Sequence, residues 1–376
     1  MKNDFAAIIL AAGFSSRMDG FKPLLPFGTE SVIERVVRLF RDAGIDTIRV
    51  VIGHKSTDLL PFLQGPGVRP VLNERYRVGM FTSVVAGIRS LEDFQGAFFL
   101  LPVDIPLVRL QTVITLMEAY GSGKRSLLYP AFLGRRGHPP LISTNYKDRI
   151  ISWSGQGGLK SLLAQYDSEA EEVEVTDKFI LEDMDTPEDY RRLLAMWKQR
   201  DLPTFQECEM LLRNRFAAEK PLLDHSREVA RLALVLAGEL NKAGFSLDLK
   251  LITAAALLHD LAKGRPDHAA EGARILVEIG YPEVAKIVAV HMDIGLQADG
   301  SINAGEIVYL ADKMMQGDRN VPLDERCETR LKLQADNPEA CRAVADRFKN
   351  AIIIRERLES LLGFPLHKIL TENGFI

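Results

Sequence analysis

Hydrophobic periodicity changes character once along this 376-residue chain, at Pro203, and that change restricts what the chain can fold into. Before it, the apolar runs Phe5–Ala11, Thr47–Ile52 and Ala97–Val103 read as buried strands. Between them, Ser31–Ala43 and Met80–Leu91 have helical spacing. Strands alternating with helices predict an α/β sheet, mostly parallel and covered on both faces. Thr186-Pro187-Glu188-Asp189 then opens a helix with an N-cap hydroxyl, Pro at the first position and acids in the first turn. That helix is expected to reach Gln199, and Arg200–Pro203 reads as a linker. From Phe205 to Leu362 apolar residues recur at i, i+3, i+4 and i+7, giving one helix after another. The expected organisation is two domains, residues 1–200 and 201–376.

Hydrophobic residues make up 47% of the chain, enough for a core in each half. The net charge of −4 argues against a nucleic-acid binder working through bulk electrostatics. Cys208, Cys327 and Cys341 lack CxxC spacing, so they suggest neither a zinc site nor a disulfide framework, and they fit a reducing cytoplasm. The most apolar run, Ala97–Leu101, stops at Pro102, far short of the ~20 residues of a membrane span. No basic-then-apolar leader pattern is present at the N-terminus. A soluble, cytoplasmic protein without membrane or nucleic-acid partners is expected.

The first strand runs into Gly13-Phe14-Ser15-Ser16-Arg17, followed by Lys22. A strand, a glycine turn, hydroxyls and two cations supply what a triphosphate site needs: backbone N–H groups that approach phosphate, and charge to neutralise it. The spacing is not that of a Walker A loop, and an ordinary strand-to-helix turn is the alternative. Asp104 ends a strongly apolar strand, where open α/β sheets place their ligands. Such a carboxylate needs a cation, and magnesium bridging triphosphate oxygens is a natural one; capping of the next helix is the alternative.

Together, Leu10-Ala11-Ala12-Gly13-x-Ser15-x-Arg17-Met18-x-x-x-Lys22, Pro102-x-Asp104-x-Pro106, Gly137-His138-Pro139 and Asp183-Met184-Asp185-Thr186-Pro187 resemble, in order and spacing, the motifs of molybdenum cofactor nucleotidyltransferases over about 190 residues. The resemblance implies that Arg17 and Lys22 hold the triphosphate, that Asp104 holds Mg²⁺ with Asp185 as a second ligand, and that His138 lies near the acceptor. Ala12, Gly13 and Ser15 belong to the nucleotide loop it implies. Ala12 follows the cytidylyltransferase pattern, where guanylyltransferases usually carry a second glycine, which favours CTP. Asn73 and the Gly79–Ser83 segment resemble the nucleotide- and acceptor-facing loop, with Thr82 or Ser83 as a helix N-cap the competing reading. Asp19 stands where the family usually has Gly, and Gln156 and Lys160 stand where it has Asp and Arg.

In the second half, His225 is in phase with Val229, Leu232 and Leu236, His259-Asp260 ends the apolar run Leu251–Leu258, and Asp312 is in phase with Val308. One buried histidine usually means a satisfied core residue. Three helices each directing His or Asp inward cost several kcal/mol per group, of the order known for buried ions, unless a metal or partner meets them. The ordered set resembles the HD superfamily of metal-dependent phosphohydrolases. The resemblance makes His225, His259, Asp260 and Asp312 ligands of a first metal, adds His268 and His291 as in binuclear members, and makes Lys263 a phosphate-contacting lysine. His268 follows a loop start, and a helix-capping role is its alternative. Iron, manganese and zinc all suit such ligands. Beyond Asp318 the sequence carries no legible chemistry, and Ala343–Leu362 reads as a packing helix.

The expected fold is therefore an α/β Rossmann-like nucleotidyltransferase (GT-A-like) domain followed by an all-α HD domain. The expected function is a bifunctional enzyme: transfer of CMP from CTP to molybdopterin cofactor or a similar phosphorylated small-molecule acceptor, and metal-dependent hydrolysis of a phosphate ester or anhydride. Molybdoenzymes that receive the cofactor are the protein partners it implies. Two alternatives stay open: a sugar- or alcohol-phosphate nucleotidyltransferase, and a nucleotide- or cofactor-binding regulator with an inactive transferase site.

Overall fold

The computed structural model describes residues 4–123, 125–297 and 300–376. The chain divides into two compact units, Met1–Lys198 and Gln199–Ile376. Among the described residues no helix is long and apolar enough to cross a membrane.

The first unit is built on a sheet of β1 (Phe5–Ala11), β2 (Thr47–Ile52), β3 (Val68–Leu72), β4 (Ala97–Pro102), β5 (Leu127–Phe132), β6 (Arg135–Arg136), β7 (Leu141–Ser143) and β8 (Ala170–Glu174). Its order is β8-β5-β7-β4-β1-β2-β3, with β6 paired to β5. β1 pairs in parallel with β4 on one side and β2 on the other, Ile9 lying opposite Leu101 and Val50. All seven β1 residues are buried, as a strand covered on both faces requires. The two faces separate by alternation: Ala7, Ile9 and Ala11 enter one apolar cluster, Ala6, Ile8 and Leu10 the other. The sheet departs from the parallel expectation at β7, which runs antiparallel to both β4 and β5. Its three residues follow too few intervening residues for a helical crossover, so the chain returns by a short connection through β6.

Helices α1 (Val32–Asp42), α2 (Met80–Arg89) and α3 (Leu110–Ser122) cover the sheet, and α4 (Pro187–Lys198) closes the unit. α1 begins with a capping box in which Ser31 and Glu34 satisfy each other's amides. α4 starts as its sequence implies: Thr186 Oγ1 accepts from the Asp189 amide at 3.2 Å and Asp189 accepts from the Thr186 amide at 3.0 Å. The strand order reverses between β1 and β4, because the chain leaves β1 toward β2 and comes back to β4 on the opposite flank. The segments leaving these two strands open a crevice at their carboxyl ends.

The second unit packs α5 (Lys220–Lys242), α6 (Leu249–Leu258), α7 (His268–Glu278), α8 (Pro282–Val288), α9 (Ala304–Met314), α10 (Leu323–Leu333), α11 (Pro338–Leu362) and α12 (Leu366–Glu372) around one core. α6 is central, and the run Ala254-Ala255-Ala256 keeps its buried surface shallow, so neighbouring helices approach closely. The expectation of helices alone is modified by a two-residue hairpin, Met315–Gln316 against Arg319–Asn320, which turns the chain after α9.

Gly87 shows how tightly α2 is seated. A Cβ there would lie 2.5 Å from Ile8 Cγ2 and 3.1 Å from Val51 Cγ2. Ala gains roughly 1 kcal/mol over Gly in an open helix, whereas overpacking costs roughly 1–3 kcal/mol. Gly87→Ala is therefore expected to lower stability, measured by urea titration on tryptophan fluorescence, since Trp153 and Trp197 both lie in this unit. A stabilised variant would refute the close packing.

Candidate functional site

The segment that leaves β1 turns back on itself at Ser15, a non-glycine residue with φ of 55°. The Ser15 carbonyl accepts from the Met18 amide at 3.0 Å, and its hydroxyl accepts from the Lys22 amide at 3.0 Å. That folds the loop so that Lys22 re-enters the crevice. At Gly13 a Cβ would meet nothing within 4 Å, so this part of the backbone faces open space. Lys22 Nζ lies between two carboxylates, 2.8 Å from Asp185 Oδ1 and 3.5 Å from Asp104 Oδ2. Asp185 also takes Arg17 Nη2 at 2.7 Å.

Burial raises the Asp104 carboxyl above its ordinary pKa, with Lys22 opposing. Asp185 moves the other way, because the Lys22 hydrogen bond stabilises its charge. The cluster sits in a cleft of ≈ 340 Å³ whose walls include Ala12, Gly13 and Ser83 besides these charged groups.

Two expected residues lie elsewhere. Asn73 is 5% exposed and acts as a brace: its amide nitrogen donates to Thr82 Oγ1 and Ser83 Oγ, both at 2.9 Å, while its side-chain oxygen accepts from the Arg75 amide at 3.0 Å. Thr82 and Ser83 are not N-caps, as one reading had them, for the N-cap of α2 is Gly79 and no side chain caps it. His138 is outside the cleft lining; its amide donates to the Ile180 carbonyl at 2.9 Å, and its Nδ1 is buried without a partner. Burial lowers its pKa, with Asp183 opposing.

The sequence reading missed an aromatic shelf at the cleft. The Phe14 ring lies 5.2 Å from both His54 and Tyr76, and the Arg77 guanidinium lies 5.5 Å from the Tyr76 centroid. Phe14 is 45% exposed. A bulky aromatic inside a glycine–serine loop was the available signal.

In the second unit the six inward His and Asp residues come together. His259 and Asp260 follow the last residue of α6, His225 comes from α5, Asp312 from α9, His268 opens α7, and His291 follows α8. His225, His259 and Asp260 form one group of potential ligand atoms within 4.8 Å of each other, and Asp260, His268 and His291 form another. Asp312 Oδ1 lies 3.4 Å from His225 Nε2 and 3.7 Å from His259 Nε2. Asp260 Oδ2 is 3.5 Å from His259 Nε2, while its Oδ1 is 3.3 Å from His268 Nε2 and 3.5 Å from His291 Nε2. One carboxylate thus offers one oxygen to each group. His268 is the first residue of its helix, but Asp267 occupies the cap position, so the histidine ring is free to face Asp260.

The main chain fixes the orientation of three of these rings. Nδ1 of His225 bonds the Gly317 carbonyl at 2.9 Å, that of His259 the Ala256 carbonyl at 2.8 Å, and that of His291 the Val288 carbonyl at 2.7 Å. A carbonyl only accepts, so each Nδ1 is the donor and, in the neutral ring, each Nε2 presents a lone pair inward. His259 Nε2 is buried without a hydrogen-bond partner. Burial pushes the His259 pKa down to about 4, so the ring is neutral at pH 7.

Burial by itself would raise the Asp260 carboxyl, but His259, His268, His291 and Lys263 together hold it below the carboxylate range. Asp312 behaves alike: burial opposes its charge, and Lys313, His225, His259 and Arg326 outweigh it. Donor atoms 3.2–3.7 Å apart fit a shared ion, because ligands about 2.0–2.2 Å from a metal stand about 3–3.5 Å from each other. An orphaned lone pair, two ionised carboxylates and converging imidazoles suit a divalent cation.

Lys263 is in the turn after α6, beyond the helix end, with Nζ 2.6 Å from Asp260 Oδ2. Two further cations were missed. Lys313 Nζ is 2.6 Å from Asp312 Oδ2, and Arg326 Nη1 bonds the Asp312 carbonyl. Both are buried. Lys313 was legible as the neighbour of Asp312; nothing near Arg326 in the sequence marks it.

Residues 7–170 match the family described as MobA-like NTP transferase domain, and residues 222–316 match the HD domain family. Among curated relatives, nicotine blue oxidoreductase of Paenarthrobacter nicotinovorans is 28% identical over 195 residues, 50% of this chain and 95% of that protein. The bifunctional protein GlmU of Geotalea daltonii is 31% identical over 115 residues, 30% of this chain but 25% of its own length. A solved nucleotidyl transferase from Methanothermobacter thermautotrophicus aligns with 53% of this chain and 99% of its own at 24% identity, with a TM-score of 0.46. The crevice of the first unit and the His/Asp cluster of the second each fall within a matched segment, apart from Asp185. Residues 7–170 thus form a MobA-like NTP transferase domain and residues 222–316 an HD domain, both of enzymatic families.

Proposed function

We propose that the first domain transfers CMP from CTP to molybdopterin cofactor or a similar phosphorylated small-molecule acceptor, releasing pyrophosphate. Similarity alone does not choose this reaction, since a relative of full coverage is named an oxidoreductase. The reading rests on Lys22 Nζ held between Asp104 and Asp185 in a crevice at strand ends. Asp104 and Asp185 would hold Mg²⁺, which would supply neutralisation of triphosphate charge. Lys22 and Arg17 then turn their N–H groups to phosphate oxygens, with the backbone of the Gly13–Ser16 turn beside them. An acceptor phosphate oxygen forms the new bond to the α-phosphorus, the α–β bridging bond breaks, and its electron pair leaves on pyrophosphate. Such a displacement needs positioning and charge neutralisation, with no enzyme nucleophile. Ala12 on the cleft wall favours CTP, and the Phe14–Tyr76 shelf suits a planar ring.

For the HD domain we infer metal-dependent hydrolysis of a phosphate ester or anhydride. The cluster would hold two iron, manganese or zinc ions, whose chemistry there would be activation of water and neutralisation of phosphoryl charge. His225, His259, Asp260 and Asp312 would hold one, and Asp260, His268 and His291 the other. Lys263 is placed to leave Asp260 for a phosphoryl oxygen. The three free cysteines accord with a reducing cytoplasm.

Asp104→Ala is expected to lower pyrophosphate release from CTP, with molybdopterin as acceptor, by about 10²-fold or more, leaving the metal content of the HD domain unchanged. Full activity in that variant removes the transferase assignment. Elemental analysis of protein kept with Mn²⁺ or Fe²⁺ should give about two ions per chain, falling to about one in His291→Ala. Only traces in the parent protein would end the metal reading.

A further inference from the structure

The HD cluster opens into a cavity of ≈ 990 Å³, at the upper end of the roughly 300–1,000 Å³ typical of ligand sites. That is far more room than one phosphoryl group needs. Its wall carries five cationic side chains, Lys263, Lys313, Arg326, Arg330 and Arg347, against the three carboxylates Glu219, Asp260 and Asp312. Metal ions would add to the positive excess, so the cavity is built for a polyanion.

The five cations are not equivalent. Lys263 and Lys313 are tied to Asp260 and Asp312, and Arg347 forms a bidentate pair with Asp293 at 2.7 and 2.8 Å. Arg326 and Arg330 differ. Arg326 has 8% of its side chain exposed, and its Nε is buried with no hydrogen-bond partner. An orphaned, buried guanidinium N–H is costly, and a ligand that draws this side chain toward the cavity would meet it. The Nη1 of Arg326 reaches the Asp312 carbonyl and its Nη2 lies 3.9 Å from Asp312 Oδ1, whereas Arg330 is exposed on the same wall. Arg330 lies one turn further along α10. Both residues lie outside the segment matched to the HD family, which ends at residue 316.

We propose that Arg326 and Arg330 form a second phosphate site beside the His/Asp cluster, so that this cavity selects substrates with two linked phosphoryl groups over simple monoesters. The inference rests on the metal-dependent hydrolase reading. One phosphoryl group faces the metal cluster and Lys263, where water attacks. The next is held by the two arginines, whose planar donors match phosphate oxygens. In hydrolysis the water oxygen bonds to the attacked phosphorus and the bridging P–O bond breaks. Its electron pair stays with the departing phosphate, which Arg326 and Arg330 neutralise, and the water proton passes to solvent.

The test uses the full chain with Mn²⁺, in a Lys22→Ala background that weakens the other anion site equally in every sample. Calorimetry compares orthophosphate with methylenediphosphonate, which is not hydrolysed. The diphosphonate is expected to bind roughly tenfold tighter or more, one charge-assisted contact being worth about that much. Arg330→Ala, an exposed position, should abolish most of that preference while orthophosphate binding and Mn²⁺ per chain stay constant; Arg330→Lys should restore part of it. Arg326→Lys should reduce the preference also. A preference that is absent in the parent, or that survives both Arg330→Ala and Arg326→Lys, overturns the second site while metal and orthophosphate binding leave the hydrolase reading standing. Failure of the parent to take up Mn²⁺ overturns both.

Discussion

A carboxylate withdrawn from water has to be met by positive charge, and both halves of this chain are arranged around that requirement. In the first, Asp104 lies two residues past the end of a fully apolar strand, and Lys22 is brought to it from a loop that started on the neighbouring strand. In the second, Asp260 and Asp312 lie among imidazoles, Lys313 and Arg326 in a core of leucine, isoleucine and alanine. The two clusters meet their carboxylates by different routes: Lys22 shares one ammonium between two acids, whereas the HD site surrounds each acid with several donors.

The scaffolds make these meetings possible by geometry more than by local preference. β1 and β4 are neighbours although 85 residues, 12–96, lie between them, and the reversal of strand order lets their ends and the later segment at Asp185 meet at one crevice. In the helical unit, α5 and α9 each present one inward position, His259 and Asp260 stand just past the end of α6, and His268 and His291 stand at the start of one helix and past the end of another. A helix terminus leaves backbone groups available, and here it also lets a ring swing toward a site that a mid-helix position would not reach.

Much of this could be read from residues alone because each signal was local. The β1 and β4 runs, the Thr186-Pro187 start and the in-phase histidines each declare themselves within about two turns or one strand. What escaped was set by long-range packing. The reversal of β7 follows from a short connection and from which edge was free, neither of which leaves a mark on Leu141-Ile142-Ser143. Asn73 resembles a ligand-facing residue in sequence yet spends its amide on the hydroxyls of Thr82 and Ser83, a pairing that only the packing of α2 brings about. Arg326 has ordinary helical surroundings and becomes buried only when α10 folds back over Asp312.

The orientation of the HD imidazoles has a consequence for how the site can change over time. His225, His259 and His291 are steered by the carbonyls of Gly317, Ala256 and Val288, so the groups that aim them belong to the peptide backbone. Had carboxylates or hydroxyls done this work, single codon changes would detune the rings one at a time and offer a gradual path to altered metal preference. A carbonyl is present whichever amino acid occupies its position. Drift in the surrounding sequence therefore leaves the rings aimed, and variation is channelled toward the cavity wall, where side chains alone decide what the centre meets.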